Sequence, residues 1–209
     1  MGASWSTALA SVAEKLNAGR IEWMLLGSAA TALRGVAIVP GDIDIAILTA
    51  DDVIRAAGVL PTPDVVGAVE SGGFVPADWI STVAEPVRRF GDAGARWTFG
   101  RWYVEGVKVE LAHIDAPAAA ALMVETRAPL VWQERETLSC HGQAIPTVPI
   151  EVQLATMVAR QQDARIDATL AGIDTGLLKV PLLRRAIRDK RSEVPGMVVP
   201  ESVQGLGLK

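Results

Sequence analysis

The chain has 209 residues with 24 acidic and 20 basic side chains, a net charge of −4 with histidine neutral, and half of it is hydrophobic. That balance fits one or two folded domains and excludes a globally disordered chain, while the mild acidity argues against a sequence-blind nucleic-acid coat and leaves room only for a local basic patch. A single cysteine, Cys140, excludes a disulfide framework, and with only His113 and His141 beside it the soft ligands are too few for a structural zinc site, so a cytoplasmic location is expected.

The first stretch carries Glu14 and Lys15 and no long apolar block, against a signal peptide. No run reaches the roughly 20 apolar residues of a membrane helix. Leu9, Val12, Ala13 and Leu16 recur at helical spacing, so a helix is predicted from Ser6 to Leu16, stopped at Asn17 to Gly19. Ile21 to Leu26 reads as a short strand, Gly27-Ser28 as a tight turn with Ser28 as the N-cap of a helix, and Gly35 as the residue just past that helix. After Pro40-Gly41, the segment from Asp42 to Leu48 alternates: Ile43, Ile45 and Ile47 share one face, Asp42, Asp44 and Ala46 the other. Thr49 or Asp51 caps a helix to Ala57, and another helix runs from Pro61–Asp64 to Gly72-Gly73. Phe74 to Pro86 reads as loop. Arg96 to Val104 and Val107 to Ile114 read as a hairpin around Glu105-Gly106, with Lys108 and Glu110 on one face and Val107, Val109 and Leu111 on the other. A helix capped by Asp115 follows. Leu130 to Val148 reads as two strands around His141-Gly142, Pro149 opens a helical region to about Asp189, and the tail after Pro195 reads as loosely attached.

Chemistry concentrates between Leu25 and Leu48. Carboxylates at i and i+2 on a strand lie about 6–7 Å apart on one face. They repel by roughly 2.5 kcal/mol at an effective dielectric near 20, and by less than about 1 kcal/mol in water, so they are either solvated or bridged by a cation. Magnesium suits the second case, since it binds through one or two carboxylates plus substrate phosphates. Glu110, on the polar face of another strand, makes a third acidic group, and three such groups can hold two ions about 3.5–4 Å apart. Gly27 lets backbone approach a phosphate closely, and the helix that starts there presents free N–H groups.

Gly27-Ser28, thirteen intervening residues, Asp42-Ile43-Asp44 and a later strand Glu together resemble the nucleotidyltransferase superfamily related to DNA polymerase beta. The short chain is similar to its minimal members, antibiotic-modifying enzymes and the nucleotidyltransferase toxins of toxin-antitoxin pairs. The resemblance implies an α/β fold, a small mixed sheet with packed helices over residues 1–149, followed by a C-terminal helical segment and tail over residues 150–209. It implies Gly27 and Ser28 at the phosphate-binding turn, and Asp42, Asp44 and Glu110 as catalytic residues holding Mg²⁺, with two ions expected. The implied reaction moves a nucleoside monophosphate from an NTP, such as ATP, to a hydroxyl on a small molecule or a tRNA 3′ end and releases pyrophosphate. An antitoxin-like protein is an implied partner. VESGGF at Val69 to Phe74 and the stretch from Ile145 to Arg160 extend the likeness, whereas Gly41 and Met157 stand where relatives often carry Ser or Thr, and Lys.

Several alternatives stay open on the residues alone. Lys108 is a solvated neighbour or a phosphate contact, and Glu110 a ligand or the outward residue of an exposed hairpin paired with Lys108 or a cross-strand Arg. His113 points away from Glu110 and reads as a core or edge histidine, Cys140 as a buried hydrophobe, and the scattered Trp23, Trp79, Trp97 and Trp102 as packing. The basic run Arg184, Arg185, Arg188, Lys190 and Arg191 complements a helix C-terminus or contacts RNA or an acidic partner. A catalytically degenerate nucleotide-binding or partner-binding protein is the alternative to the enzyme.

Overall fold

A computed structural model describes residues 4–61, 78–91, 94–115 and 129–207. Among them the chain runs α1 (Trp5–Ala18), β1 (Trp23–Leu25), α2 (Gly27–Leu33), β2 (Ile43–Ile47), α3 (Ala50–Ala57), β3 (Arg88–Gly91), β4 (Arg96–Val104) and β5 (Val107–Asp115). Then come α4 (Pro129–Glu134), β6 (Glu136–Cys140), β7 (Gln143–Thr147), α5 (Ile150–Ala159), α6 (Asp163–Gly172), α7 (Val180–Glu193) and α8 (Glu201–Gln204). The fold is α/β, as expected. Its seven strands form one mixed sheet in the order β3-β4-β5-β2-β1-β7-β6, with β2/β5 and β1/β7 parallel and the other pairs antiparallel.

Local chemistry explains the elements that place the site. Helix α1 buries Ala8, Leu9, Val12, Ala13 and Leu16, the face that the sequence periodicity marks, and Ser4 caps it by accepting from the Thr7 N–H. Thr49 caps α3 by accepting from the Asp52 N–H. The β4–β5 hairpin turns through Glu105 (φ 52°) and Gly106 (φ 80°), the left-handed pair that a two-residue turn requires, and so keeps both predicted strands in register, Val104 against Val107. Helix α5 is buried on all sides, Glu151, Gln153 and Thr156 included, and one hydrophobic cluster runs from α1 through β1, β2 and β5 to α5, α7 and α8. No helix among the described residues is long and apolar enough to cross a membrane.

Several expectations are corrected. The residue before α2 is Leu26, extended at φ −121°, and no side chain caps the helix; the chain reverses at Gly27 (φ 64°), so Ser28 already lies inside the first turn. Leu130 to Glu134 is helical, because the apolar run Leu130-Val131-Trp132 buries its Val and Trp against the core and is too short for its period to be read. Strand β3 lies in a stretch with no alternating pattern and forms by pairing with β4. The C-terminal helical region is three helices, since Gln161 (φ 54°) breaks it and Ile173 is extended. The tail is docked: Val199 and Val203 are buried, and Arg184 donates to the Gly207 carbonyl. The Arg184–Arg191 run is not one exposed patch, since Lys190 is buried beside Glu193. The predicted helix from Pro61–Asp64 to Gly72-Gly73, the Val69–Phe74 element and the helix after Asp115 lie outside the described residues.

Candidate functional site

Parallel pairing of β2 with β5 sets Asp44 directly opposite Glu110, with Ile43 opposite Val109 and Ile45 opposite Leu111. The apolar members of both strands are buried, so the acids project from the other face. Asp42 lies just before β2 on the same side. One carboxylate oxygen from each of Asp42, Asp44 and Glu110 falls within 4.8 Å of the others, and all three side chains are half-buried. The sequence expectation that these three meet therefore holds in space.

Like charges at that spacing act on one another. The Asp44 carboxyl is pushed up from 3.8 to about 6, chiefly by burial, then by Asp42 and Glu110, with Lys108 and Arg160 opposing. The cations have defined places. Lys108 Nζ lies 2.9 Å from Asp42 Oδ2 and 3.3 Å from Glu110 Oε1, and the hydrogen bond to Asp42 is the main cause of its raised pKa. Arg101, opposite Glu110 across the hairpin, donates from Nε to Glu110 Oε1 at 2.8 Å and from Nη1 to the Trp79 carbonyl at 3.1 Å. Its own backbone is tied to Ser81, whose N–H donates to the Arg101 carbonyl and whose hydroxyl accepts from the Arg101 N–H.

Gly27 is placed against the acids by strand pairing: the Leu26 N–H donates to the Asp44 carbonyl at 2.8 Å. A Cβ on Gly27 would overlap Asp44 Oδ2 and lie 3.3 Å from its Cγ, so the positive φ and the missing side chain are both used here. The Gly27 carbonyl accepts from Thr31 Oγ1 and from the amide of Gln153, a buried residue of α5 that also donates to Thr31. Ser28 is half-buried at the start of α2. On the Asp42 side a cleft of about 730 Å³ opens between the start of α1, residues Val39 to Gly41 and the hairpin end, with Trp5, Tyr103 and Lys108 on its wall.

Arg160 and Gln153 escaped the sequence reading, whereas Arg101 entered it only as an unnamed cross-strand arginine able to pair with Glu110. For Arg101 the signal existed, because counting back from the Glu105-Gly106 turn sets it opposite Glu110. For Arg160 and Gln153 there was none, since their place depends on how α5 packs. His113 turns away as expected, its Nδ1 3.2 Å from the Ile47 carbonyl. Cys140 is buried, its thiol donating to the Ser6 carbonyl.

No family model and no curated protein matches the chain. Solved structures resemble it, two of them as follows. A candidate nucleotidyltransferase from Thermotoga maritima is 18% identical with a TM-score of 0.48, over 79% of this chain and 88% of that one. An antigenic nucleotidyltransferase-like protein from Paracoccidioides brasiliensis is 17% identical with a TM-score of 0.44, over 96% of this chain and 84% of that one.

Proposed function

We propose that the chain is a divalent-metal-dependent nucleotidyltransferase that moves a nucleoside monophosphate from an NTP to a hydroxyl acceptor. The observation that carries this reading is the in-register pair Asp44 and Glu110 on parallel strands, which with Asp42 gathers three carboxylate oxygens within 4.8 Å. The donor set fits a hard cation: it offers oxygen ligands only, and Asp44, whose carboxyl is raised chiefly by burial and then by its two acidic neighbours, is a group whose charged form a bound cation would favour. Magnesium held by Asp42, Asp44 and Glu110 would supply charge stabilisation for the phosphoryl and pyrophosphate oxygens, with two ions expected.

The chain's own groups supply the rest. The Gly27-Ser28 turn lies on the Asp44 side of the cluster, the space of a Gly27 Cβ being taken by the Asp44 carboxylate, and it receives the triphosphate through its backbone N–H groups. The cleft lies on the Asp42 side and gives the acceptor its approach. The acceptor oxygen forms a bond to the α-phosphorus while the bond from that phosphorus to the bridging oxygen breaks. Pyrophosphate leaves with the electron pair, and the acceptor proton passes to Glu110 or to water.

The test is transfer from an NTP radiolabelled at the α-phosphate, together with pyrophosphate release. Wild type should require Mg²⁺ for both, and Asp42→Asn should abolish both; an Asp42→Asn protein with more than a few per cent of wild-type turnover refutes the assignment. One observation favours a binding protein without transfer. Arg101 and Lys108 both engage Oε1 of Glu110, which restrains that carboxylate as a proton acceptor. NTP affinity that calorimetry finds unchanged by Mg²⁺ would support that second reading.

A further inference from the structure

Lys108 sits on two of the carboxylates that a divalent ion would use. Its ammonium contacts Asp42 and Glu110 at 2.9 and 3.3 Å, and these are two of the three members of the carboxylate cluster. Two cations crowded onto the same half-buried carboxylates repel strongly, so an ion that bridges Asp42 and Glu110 displaces the ammonium from between them. Of the two side chains on Glu110, only Lys108 can leave cheaply. Arg101 is buried and anchored by its second contact to the Trp79 carbonyl. Lys108 is about one-third exposed on a flexible four-carbon stem and already lines the adjoining cleft.

We propose that Lys108 is a tethered counter-ion: it neutralises Asp42 and Glu110 in the metal-free chain, and an entering divalent ion displaces it into the cleft beside Trp5, Val39 and Tyr103. The inference rests on the metal-dependent reading above and deepens it. Lys108 is the sole charged residue among the described residues lining the cleft, which is otherwise apolar or small, with Val39 and Tyr103 strongly exposed. Metal loading therefore leaves the ammonium in the cleft without the carboxylates that neutralise it. Such a cleft receives a hydroxyl compound that is neutral or anionic near its reacting oxygen, and disfavours a polycationic one.

The test uses the full chain without nucleotide. Mn²⁺ affinity is read from the electron paramagnetic resonance of free Mn²⁺ for wild type, Lys108→Met and Lys108→Gln, with Lys108→Arg keeping the charge. Removal of the ammonium should tighten Mn²⁺ binding roughly fivefold, the scale of one partly exposed ion pair, while Lys108→Arg stays near wild type. Displacement itself is read by reductive methylation and peptide mass spectrometry: Mg²⁺ should speed modification of Lys108 several-fold and leave Lys15 unchanged. Equal or weaker Mn²⁺ binding in both neutral variants overturns the exchange, as does Lys108 reactivity indifferent to Mg²⁺. Wild type that binds Mn²⁺ without a gain in the variants refutes this inference alone; absence of Mn²⁺ binding in every protein refutes the metal-dependent reading beneath it as well.

Discussion

Gly27→Ala separates two costs that fall on one residue. The first is conformational, since alanine at φ 64° costs about 1–2 kcal/mol. The second is steric. The new Cβ would overlap Asp44 Oδ2, and the Asp44 backbone cannot retreat because its carbonyl is paired with the Leu26 N–H just past β1. The carboxylate must turn out of its rotamer, at about 0.5–1.5 kcal/mol, and so leaves the cluster. Gly35→Ala supplies the reference, because Gly35 has φ 89° and nothing within 4 Å of an added Cβ. Gly35→Ala should therefore lose about 1–2 kcal/mol and Gly27→Ala about 2–3 kcal/mol, each kcal/mol lowering the melting temperature by about 2–4 °C in a chain of this size. Mn²⁺ affinity should stay at wild type in Gly35→Ala and fall at least about tenfold in Gly27→Ala. In an Asp44→Ala background the steric part has nothing to act on, so the stability cost of Gly27→Ala should shrink to that of Gly35→Ala. Equal costs in the two backgrounds would refute the close approach of Gly27 to Asp44.

Asp44 also makes stability depend on pH. Its folded pKa of about 6 lies above the ordinary 3.8, so the folded chain binds that proton more tightly, and the resulting stability is full below the ordinary value and lost as pH rises through about 6. Without metal, wild type should lose up to roughly 3 kcal/mol relative to Asp44→Asn between about pH 4 and pH 7.5, less whatever solvent screens at a half-buried group. Urea denaturation in EDTA checks this, and parallel pH profiles for the two proteins would count against it; Mg²⁺ should narrow the gap by binding the ionised form. Glu110→Gln should lower the chemical step by about 10² or more while NTP binding largely survives, in line with the loss of a positioned base and ligand. Single-turnover and binding measurements separate the two, and a Glu110→Gln protein that loses NTP affinity at full chemical rate would move Glu110 from the reacting oxygen to the phosphates.

How far the sequence could be read depended on the range of the interactions involved. The β4–β5 hairpin was legible except at its far end, where Asp115, read as a helix cap, is the last residue of β5 opposite Arg96; its turn is local chemistry, Glu105-Gly106 supplying the left-handed pair from which parity along each strand follows. The meeting of Asp44 with Glu110 was legible only in part. Parity shows that each acid lies on a polar face, but not that β2 and β5 are neighbours, which follows from burying Ile43, Ile45, Val109 and Leu111 in a shared core. Leu130-Val131-Trp132 misled because three consecutive apolar residues carry no period, so burial against the core decided between helix and strand. The docked tail misled for the opposite reason: Gly and Pro around Val199 and Val203 suggested a loose end, and only the tertiary surface that covers those two valines holds it.

The glycine of the turn shows where the same residue type carries more than its motif suggests. Sequence reasoning assigns Gly27 to a phosphate, because a bare backbone lets an anion approach. The structure adds a second anion, the Asp44 carboxylate, which lies where a Cβ would be. The missing side chain lets Asp44 reach the position from which it joins Asp42 and Glu110, and on the function proposed above the turn would also receive a substrate phosphate. The raised Asp44 carboxyl is a consequence, since an acid packed against backbone and beside two other acids gives up its proton at about pH 6. The charge of Asp44 therefore depends on a bound cation, and Gly27 is the residue whose substitution should weaken metal and phosphate binding together.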